Sequence, residues 1–495
     1  MPSRLRSRSS HRTAATPGLR GLPQVHQVLE SREAVAAIAR HGRDLVATVL
    51  RARLAELRRH ARGGGGTPAD LASVLQGLPS WLAAEADRRA TSTLRPVINA
   101  TGVLLHTNLG RAVLSAAAIA RMVEVAGACT TLEYDLGRGA RGSRLAHLDR
   151  ILKLLFPDHA AHVVNNNAAA LLLALNTLAE GREVIVSRGE LVEIGGSFRV
   201  PDILRKSGAV LKEVGTTNRT RLPDYEKAIG ARTALLLKVH PSNYRIVGFT
   251  ATVPLQEVVA LGRRRRIPVL MDQGSGNLTD LVPYGIRGEP TVQDAVRAGA
   301  DLVCFSADKL LGGPQGGILI GRPELIRAMR ENPLSRVLRI DKMTAAALES
   351  TLLEHARSTA MRALPVLEAI ARTPDAIAAR ADSLAASIRT ASGGRIEAVT
   401  RPGVSLLGGG SAPEEGLPTT ILALAVRGLS ARRLEERLRA QDPPVIARIE
   451  AGRVVLDLRT VAESQEGTLR AALLAAAREP AGSGPDDTGG GPVRR

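Results

Sequence analysis

The middle of this 495-residue chain alternates short apolar runs with amphipathic stretches, and this alternation limits the fold more than any other feature. Between about 91 and 345 the apolar runs read HVV, EVIVS, AVLKEVG, TALLLKVH, PVLMD, LVCFS and GGILIG. Each run has the length of a buried strand, and sequence with helical spacing lies between them. Such alternation is typical of βαβ units. It predicts an α/β fold with a mainly parallel sheet in a large domain over 91–345.

The sequence on either side of this region has a different residue pattern and composition. Residues 21–90 show apolar residues at three- and four-residue spacing with far more Arg than Glu, which predicts a small basic helical domain. Residues 346–478 predict a connecting helix and a small α+β domain. The ends predict a disordered basic arm over 1–20 and a disordered Gly- and Pro-rich tail over 479–495. A transit peptide can share the composition of the arm, but the arm is the preferred interpretation because no apolar run follows it.

Composition narrows the functional class. The net charge of +19 favours an anionic partner such as nucleic acid, although a generally arginine-rich proteome explains it about equally well. Two cysteines, Cys129 and Cys304, make a disulfide framework unexpected and favour a reducing, cytoplasmic location. No apolar run reaches the roughly 18 residues that a membrane span requires.

Lys309 lies between the apolar runs LVCFS and GGILIG, in FSADKLLGGPQGGILIG. An unpaired ammonium is expensive to bury, and burial lowers the pKa of a lysine and leaves a nucleophilic amine. Ser306, three residues earlier, could reach a phosphate. Taken alone, the segment equally allows an exposed loop lysine flanked by turn glycines.

Other strand ends carry complementary chemistry. Asp272 ends the run PVLMD, where a carboxylate could hold a protonated pyridinium nitrogen, although Asp before Gly is also common turn chemistry. Asn165, Asn166 and Asn167 lead from a strand into the helical sequence AAALLLAL. The amides at such a helix start bind anions, and Asn is also a favoured N-cap.

A fourth strand end carries His240, Ser242 and Asn243, in KVHPSNYRIVGFT. An amine, a carboxylate, an anion-binding helix start and polar side chains thus follow four strands. Along the chain their order is the helix start, the polar loop, Asp272 and Lys309. This order resembles fold-type I enzymes that use pyridoxal 5'-phosphate.

Longer strings give a closer resemblance. RPVINATGVLLHTNLGRA, VNNNAAA, SRGELVEIGGSFRVPDI, KVHPSNYRIVGFT, FSADKLLGGPQGGI and LRIDKMTAAALESTL are similar to the bacterial selenocysteine synthase family, L-seryl-tRNA(Sec) selenium transferase. The similarity extends over roughly 90–460. The basic domain at 21–90 matches the tRNA-binding N-terminal domain of that family in position and character.

The resemblance implies a reaction and a set of residues. Seryl-tRNA(Sec) would lose water to give an aminoacrylyl intermediate on pyridoxal phosphate, and selenium from selenophosphate would then add. Lys309 would hold the cofactor and act as general base at Cα. The cofactor would contact Asn166, Asn167, Ala168, His240, Asp272 and Ser306. A homo-oligomer built from dimers is implied as well.

Three arginines match family positions for binding the selenophosphate anion: Arg111, Arg336 and Arg339. The last two, spaced i, i+3, are expected to share one helix face. The side chain that stacks on the cofactor ring stays open among Glu193, Ile194 and His240. An alternative function, a related lyase acting on a small amino acid, would have no reason to keep a basic N-terminal domain.

Overall fold

The computed structural model describes residues 22–62, 68–191, 193–194, 198–244, 246–409 and 416–478. The predicted arm over 1–20 and tail over 479–495 lie outside these residues. The chain divides into two compact units, Met1–Pro96 and Val97–Arg495. No helix within the described ranges is both long and apolar enough to cross a membrane.

The first unit is helical, as its sequence pattern predicts. Its helices are α1 (Val25–Leu29), α2 (Arg32–His41), α3 (Arg43–Arg62), α4 (Pro68–Gln76) and α5 (Leu78–Ala90). Val46, Leu50 and Leu54 on α3 pack with Leu78 and Leu82 on α5 in one apolar core. The arginines of α3 mostly face outward, since Arg43, Arg51, Arg58, Arg59 and Arg62 are exposed. This unit therefore presents a basic helical surface.

The second unit alternates strands and helices before it ends in an antiparallel layer. Its helices are α6 (Ala116–Ala126), α7 (Ala146–Leu155), α8 (Asn167–Ala179), α9 (Val200–Lys206), α10 (Leu222–Ala228), α11 (Leu255–Arg265), α12 (Val292–Arg297), α13 (Pro323–Glu331), α14 (Pro333–Val337), α15 (Lys342–Ala356), α16 (Ala360–Ala363), α17 (Pro365–Ala371), α18 (Pro374–Ala391), α19 (Ala431–Arg439) and α20 (Glu466–Ala476). Its strands are β1 (Ile98–Asn99), β2 (Tyr134–Asp135), β3 (Ala140–Arg141), β4 (Ala160–Val164), β5 (Glu183–Ser187), β6 (Glu193–Ile194), β7 (Phe198–Arg199), β8 (Val210–Val214), β9 (Thr233–Val239), β10 (Val269–Gly274), β11 (Leu302–Ser306), β12 (Gly317–Gly321), β13 (Ile396–Leu406), β14 (Gly416–Val426), β15 (Val445–Ile446), β16 (Arg448–Glu450) and β17 (Arg453–Asp457).

A seven-stranded sheet forms the centre of this unit, in the order β4-β12-β11-β10-β9-β5-β8. All neighbouring strands pair in parallel except β12, which runs antiparallel to β11 and β4. Each of the seven apolar runs in the sequence is one of these strands, so the predicted sheet is confirmed. The parallel strands end at one edge, where open α/β sheets place their ligands.

Both faces of the sheet are covered, which explains why its strands read as continuous apolar runs. On β11, Val303 and Phe305 pack in the cluster that contains Leu348 of α15, whereas Cys304 packs in the cluster that contains Leu171 of α8. Successive side chains thus face opposite helical layers, as the two-residue period of a strand requires. These two layers fix the edge where the polar side chains lie.

The C-terminal part forms a second layer around the antiparallel sheet β13-β14-β17-β16. Here β1 pairs in parallel with β15, and Ile98 packs in the same core as Leu422 and Leu456. The chain therefore contributes to this layer directly after Pro96, earlier than the predicted boundary at 346. That boundary also falls inside α15. Leu348 of this helix packs in the same apolar cluster as Val303 and Phe305 of the large sheet.

Candidate active site

A cavity of about 400 Å³ opens where the parallel strands β4, β9, β10 and β11 end. It gathers the side chains that the sequence analysis singled out at separate strand ends. The residues that line it are Thr107, Gly110, Arg111, Asn166, Asn167, Ala168, Val239, His240, Ser242, Asp272, Gly274, Ser306, Asp308, Lys309 and Gln315. The structure therefore brings the amine, the carboxylate and the helix start together around one cavity.

Lys309 lies in this cavity with only 3% of its surface exposed. Burial lowers the pKa of its amine, and the guanidinium of Arg111 lowers it further, while Asp308 and Asp272 oppose both effects. An exposed loop lysine, the alternative that the segment allowed, is thus excluded. The amine is buried and biased toward its neutral, nucleophilic form.

Asp272 lies near the end of β10 and is buried. Its Oδ1 accepts a hydrogen bond of 2.9 Å from Nδ2 of Asn167, and the thiol of Cys304 also hydrogen-bonds to the carboxyl group. Burial raises the pKa of Asp272, whereas these donors and the Lys309 amine lower it. The carboxylate is therefore held in place by the start of α8 and by β11, and it lines the cavity that contains Lys309.

The three asparagines before α8 have three different roles. The backbone N–H of Asn165 donates to the carbonyl of Leu338 at 2.9 Å. Asn166 is the N-cap, since its Oδ1 accepts from the N–H of Ala169 at 2.9 Å. Asn167 begins the helix and fixes Asp272 through its amide. Capping thus accounts for one asparagine only, and the helix start opens on the cavity with the amide polarity that attracts anions.

The glycines after Lys309 are explained by close backbone approach. A Cβ on Gly317 would lie 2.1 Å from the carbonyl oxygen of Asn166, so only glycine lets β12 pass the helix start. Gly312 has a φ of +76°, which is favourable only without a side chain. Gly317 is therefore needed where β12 packs against the asparagine segment, and Gly312 where the Lys309 loop turns beside Leu364.

Three side chains were candidates to stack on a cofactor ring, and of those that the structure describes, His240 lines the cavity. Its backbone N–H donates to the carbonyl of Asp272 at 2.9 Å, and its Nε2 lies 3.6 Å from Oε2 of the buried Glu289. Glu193 is exposed and pairs with Arg199. The side chain of Ile194 lies outside the described residues. Geometry therefore favours His240 for contact with a ring.

The arginines predicted to bind an anion separate into two groups. Arg111 lines the cavity and pairs with Asp308 at 2.8 Å between Nη1 and Oδ2. Arg336 and Arg339 are exposed and do not line the cavity, and Arg339 lies 3.7 Å from Glu133. The expectation that Arg336 and Arg339 share a helix face is wrong, because α14 ends at Val337. Leu338 is the C-cap of α14, and its carbonyl accepts the hydrogen bond from Asn165.

Several residues of the site had not been recognised in the sequence. Asp308 directly precedes Lys309, and its charge next to the lysine was a usable signal. Glu289 lies fully buried beside His240 and accepts a hydrogen bond from Ser275, but nothing in its local sequence indicates this. Nε2 of Gln273 donates to Oγ of Ser275 at 2.9 Å and so supports the same group.

The residues present fit pyridoxal phosphate. A buried amine, a carboxylate and a helix start surround one cavity, which are the groups that an aldehyde, a pyridinium nitrogen and a phosphate require. Two buried polar atoms in the cavity, Oδ1 of Asn167 and Nε2 of His240, have no hydrogen-bond partner among the described residues. They are suited to contact a polar ligand.

Comparison with known proteins agrees with this geometry. Residues 97–462 match the family model described as L-seryl-tRNA selenium transferase, and residues 19–58 match the model described as selenocysteine synthase N terminal. Among solved structures, D-glucosaminate-6-phosphate ammonia-lyase superposes with a TM-score of 0.54 at 20% identity, over 78% of this chain and 96% of that one. This likeness shows the fold, which is fold-type I.

Curated relatives are similar over nearly their whole length. The chain is 48% identical to the L-seryl-tRNA(Sec) selenium transferase of Geobacter metallireducens, over 91% of this chain and 98% of the relative. It is 49% identical to the enzyme of the same name from Solidesulfovibrio magneticus, over 93% and 98%. The chain therefore belongs to the L-seryl-tRNA(Sec) selenium transferase family.

Proposed function

We propose that this chain converts L-seryl-tRNA(Sec) to L-selenocysteinyl-tRNA(Sec) in the cavity around Lys309, with pyridoxal phosphate as cofactor and selenophosphate as selenium donor. Family membership supports the overall reaction. One observation supports this location for the reaction: Lys309 is only 3% exposed and lies in one cavity with Asp272 and the start of α8.

Each group of the cavity has a distinct part in holding the cofactor. Lys309 would bind its aldehyde carbon, and Asp272 would keep the ring nitrogen protonated. The start of α8 at Asn166, Asn167 and Ala168, with Ser306, would bind its phosphate. His240 would contact the ring. Bound there, pyridoxal phosphate supplies an electron sink for chemistry at Cα and Cβ of the seryl group.

Lys309 would also move the reacting proton. With the seryl substrate bound, the Lys309 amine would take the proton from Cα. A lowered pKa favours this step, because a neutral amine is the form that accepts a proton at neutral pH. The same proton can then assist departure of the hydroxyl from Cβ.

Arginine provides the charge for the selenium donor. Arg111 is placed at the cavity, where its planar guanidinium can bind an oxyanion in a bidentate manner. Arg336 and Arg339 remain predicted contacts to the same anion. Because Asp308 already pairs with Arg111, an arriving selenophosphate would share that guanidinium with Asp308 or displace the carboxylate.

The tRNA is expected to bind the basic helical unit. The exposed arginines along α3 support this assignment, since phosphate contacts dominate affinity for nucleic acid. A homo-oligomer built from dimers is proposed as well. Large exposed apolar side chains such as Leu136, 76% exposed, and Val123, 69% exposed, are consistent with partner contacts. We place the reaction in the cytoplasm.

A transfer assay tests the proposed function. The enzyme would be incubated with seryl-tRNA(Sec) and selenophosphate, the tRNA would be deacylated, and the released amino acid identified. Selenocysteine is expected, and its yield should fall to background when selenophosphate is omitted. Recovery of serine alone from the complete mixture would contradict the proposal.

A further inference from the structure

The proposed reaction requires space for the end of the tRNA as well as for the cofactor. The serine to be converted is an ester on the ribose of the terminal nucleoside of tRNA, so that nucleoside must lie within one ester linkage of the cofactor. The 400 Å³ cavity already has to hold pyridoxal phosphate and the seryl group. A second space next to it must therefore receive the nucleoside, if the proposed function is correct.

A larger cavity of about 630 Å³ lies directly beside the first. The two share Val239 and His240, at the end of β9. His240 thus borders the proposed cofactor on one side and this second cavity on the other. A ligand in the second cavity would be one side chain away from Lys309 and Asp272.

Part of the wall of the second cavity is made of polar side chains that pair with one another, while apolar side chains form the rest. Glu190 and Lys238 form a buried ion pair, with side chains 5% and 13% exposed, and Oε2 of Glu190 accepts from the N–H of Val239 at 2.9 Å. The hydroxyl of Tyr244 donates to the carbonyl of Gly189. Pairing within the wall makes it a preorganised polar surface, which suits the hydroxyls and ring nitrogens of a nucleoside.

An exposed aromatic side chain, which does not itself line this cavity, contacts two residues that do. Phe249 is 84% exposed, although aromatic residues make up only 2% of the chain. Its carbonyl accepts hydrogen bonds from Asn218 at 2.6 Å and from Arg219 at 3.1 Å, and both donors line the cavity. The guanidinium of Arg219 lies 5.9 Å from the centre of its ring. An aromatic ring beside an arginine is the arrangement on which unpaired bases stack.

We propose that the second cavity, with Phe249 beside it, binds the unpaired 3′-terminal nucleoside of the aminoacyl-tRNA. The nucleoside lies against the wall formed by Glu190, Lys238 and Tyr244. Phe249 stacks with a base of the single-stranded end, and Arg219 provides positive charge for its phosphates. The seryl ester then reaches past His240 toward Lys309.

A third cavity, of about 380 Å³, is the competing location, because it adjoins the cofactor cavity through Arg111. Its buried cation Arg459 donates to the carbonyls of Ala369, Arg372 and Pro418 and so has a structural role. Among the described residues that line it, His106 has the only aromatic ring, and no Phe, Tyr or Trp is present. These differences favour the second cavity, and the two locations can be separated by substitution.

The test uses full-length holoenzyme and a 5′-phosphorylated CCA trinucleotide that carries serine in a stable amide linkage at its 3′ end. Phe249→Ala keeps the backbone carbonyl that Asn218 and Arg219 bind, and Thr252→Trp fills the cavity from an exposed position. Both should weaken trinucleotide binding by about tenfold or more, the range expected for loss of one stacked base. Phe249→Tyr should retain binding.

Two matched controls complete the design. Thr390→Trp places the same side chain on the exposed surface of α18, and Ser464→Trp fills the third cavity instead. Both should bind the trinucleotide as the wild type does, and all variants should keep the same cofactor content. Absent binding by the wild type, unchanged binding by Phe249→Ala and Thr252→Trp, or loss confined to Ser464→Trp would each overturn the inference.

Conversion of seryl-tRNA(Sec) by the same samples separates this inference from the proposed function. The two cavity variants should show a raised KM for seryl-tRNA(Sec) with kcat maintained. If the wild type converts the substrate while the variants bind and react unchanged, the nucleoside site is refuted and the proposed function stands. If the wild type forms no selenocysteine, the proposed function itself fails.

Discussion

Replacing Gly317 by alanine should damage the cofactor site, although glycine and alanine differ by one methyl group. The new Cβ would lie 2.1 Å from the carbonyl oxygen of Asn166, 2.4 Å from its carbonyl carbon and 2.8 Å from the nitrogen of Asn167. Unbonded heavy atoms normally stay about 3.5–4.0 Å apart. The overlap therefore exceeds about 1 Å and involves backbone atoms, which cannot rotate away as a side chain would.

The neighbouring Gly316 provides a matched control. A Cβ there would lie 3.4 Å from Cβ of Ala307 and 3.8 Å from the carbonyl of Val164, which is close to ordinary contact. Overpacking a close-packed interior typically costs about 1–3 kcal/mol. We expect a cost in this range for Gly317→Ala and a much smaller one for Gly316→Ala. In the first variant, the start of α8 must move.

Cofactor titration of the two apoproteins measures this difference, followed by the visible absorbance of bound pyridoxal phosphate. Gly317→Ala should weaken cofactor binding by about tenfold or more, equivalent to about 1.4 kcal/mol. Gly316→Ala should bind like the wild type. Equal affinity for both variants and the wild type would refute the idea that the start of α8 binds the phosphate and depends on Gly317.

Three further predictions concern other parts of the site and the chain. Asp272→Asn should still bind the cofactor but lose about 10- to 150-fold in the rate of selenocysteine formation, because a charge-assisted hydrogen bond contributes about 1.5–3 kcal/mol; an unchanged rate would contradict the role of Asp272. In the apoprotein, burial lowers the pKa of Lys309 below 10.5. Between the lowered pKa and 10.5, the unfolded chain therefore holds a proton that the folded chain lacks. Thermal stability of the wild type relative to Lys309→Met should therefore rise with pH through that window, and a constant difference would argue against a buried amine. A chain that begins at Val97 should lose most of its affinity for tRNA(Sec), and the affinity of the full chain should fall steeply with salt; a flat salt response would contradict binding through the arginines.

Periodicity made the central sheet predictable. Buried parallel strands require short continuous apolar runs, and each of the seven runs became a strand of that sheet. Once the strands were placed, Asn167, Asp272, Ser306 and Lys309 had to meet, because parallel strands end at one edge. The main components of the site therefore followed from local sequence alone.

Features that depend on contacts distant in sequence could not be predicted in this way. Glu289 acts on the site only because the chain returns beside His240 after 49 residues, and no periodic pattern specifies that approach. The pairing of β1 with β15 joins residues almost 350 positions apart. Helix ends are similarly difficult: the spacing of Arg336 and Arg339 fits a helix, but α14 ends at Val337, between the two arginines.

The central claim is that Lys309 holds pyridoxal phosphate at the carboxyl edge of the sheet. Borohydride reduction fixes the cofactor to the amine that holds it, and digestion followed by mass spectrometry locates the modified lysine. We predict the pyridoxyl group on the peptide that contains Lys309. Lys238 provides a demanding comparison, because it is also largely buried and lines the neighbouring cavity. Modification of Lys238, or of any other lysine in place of Lys309, would contradict this assignment.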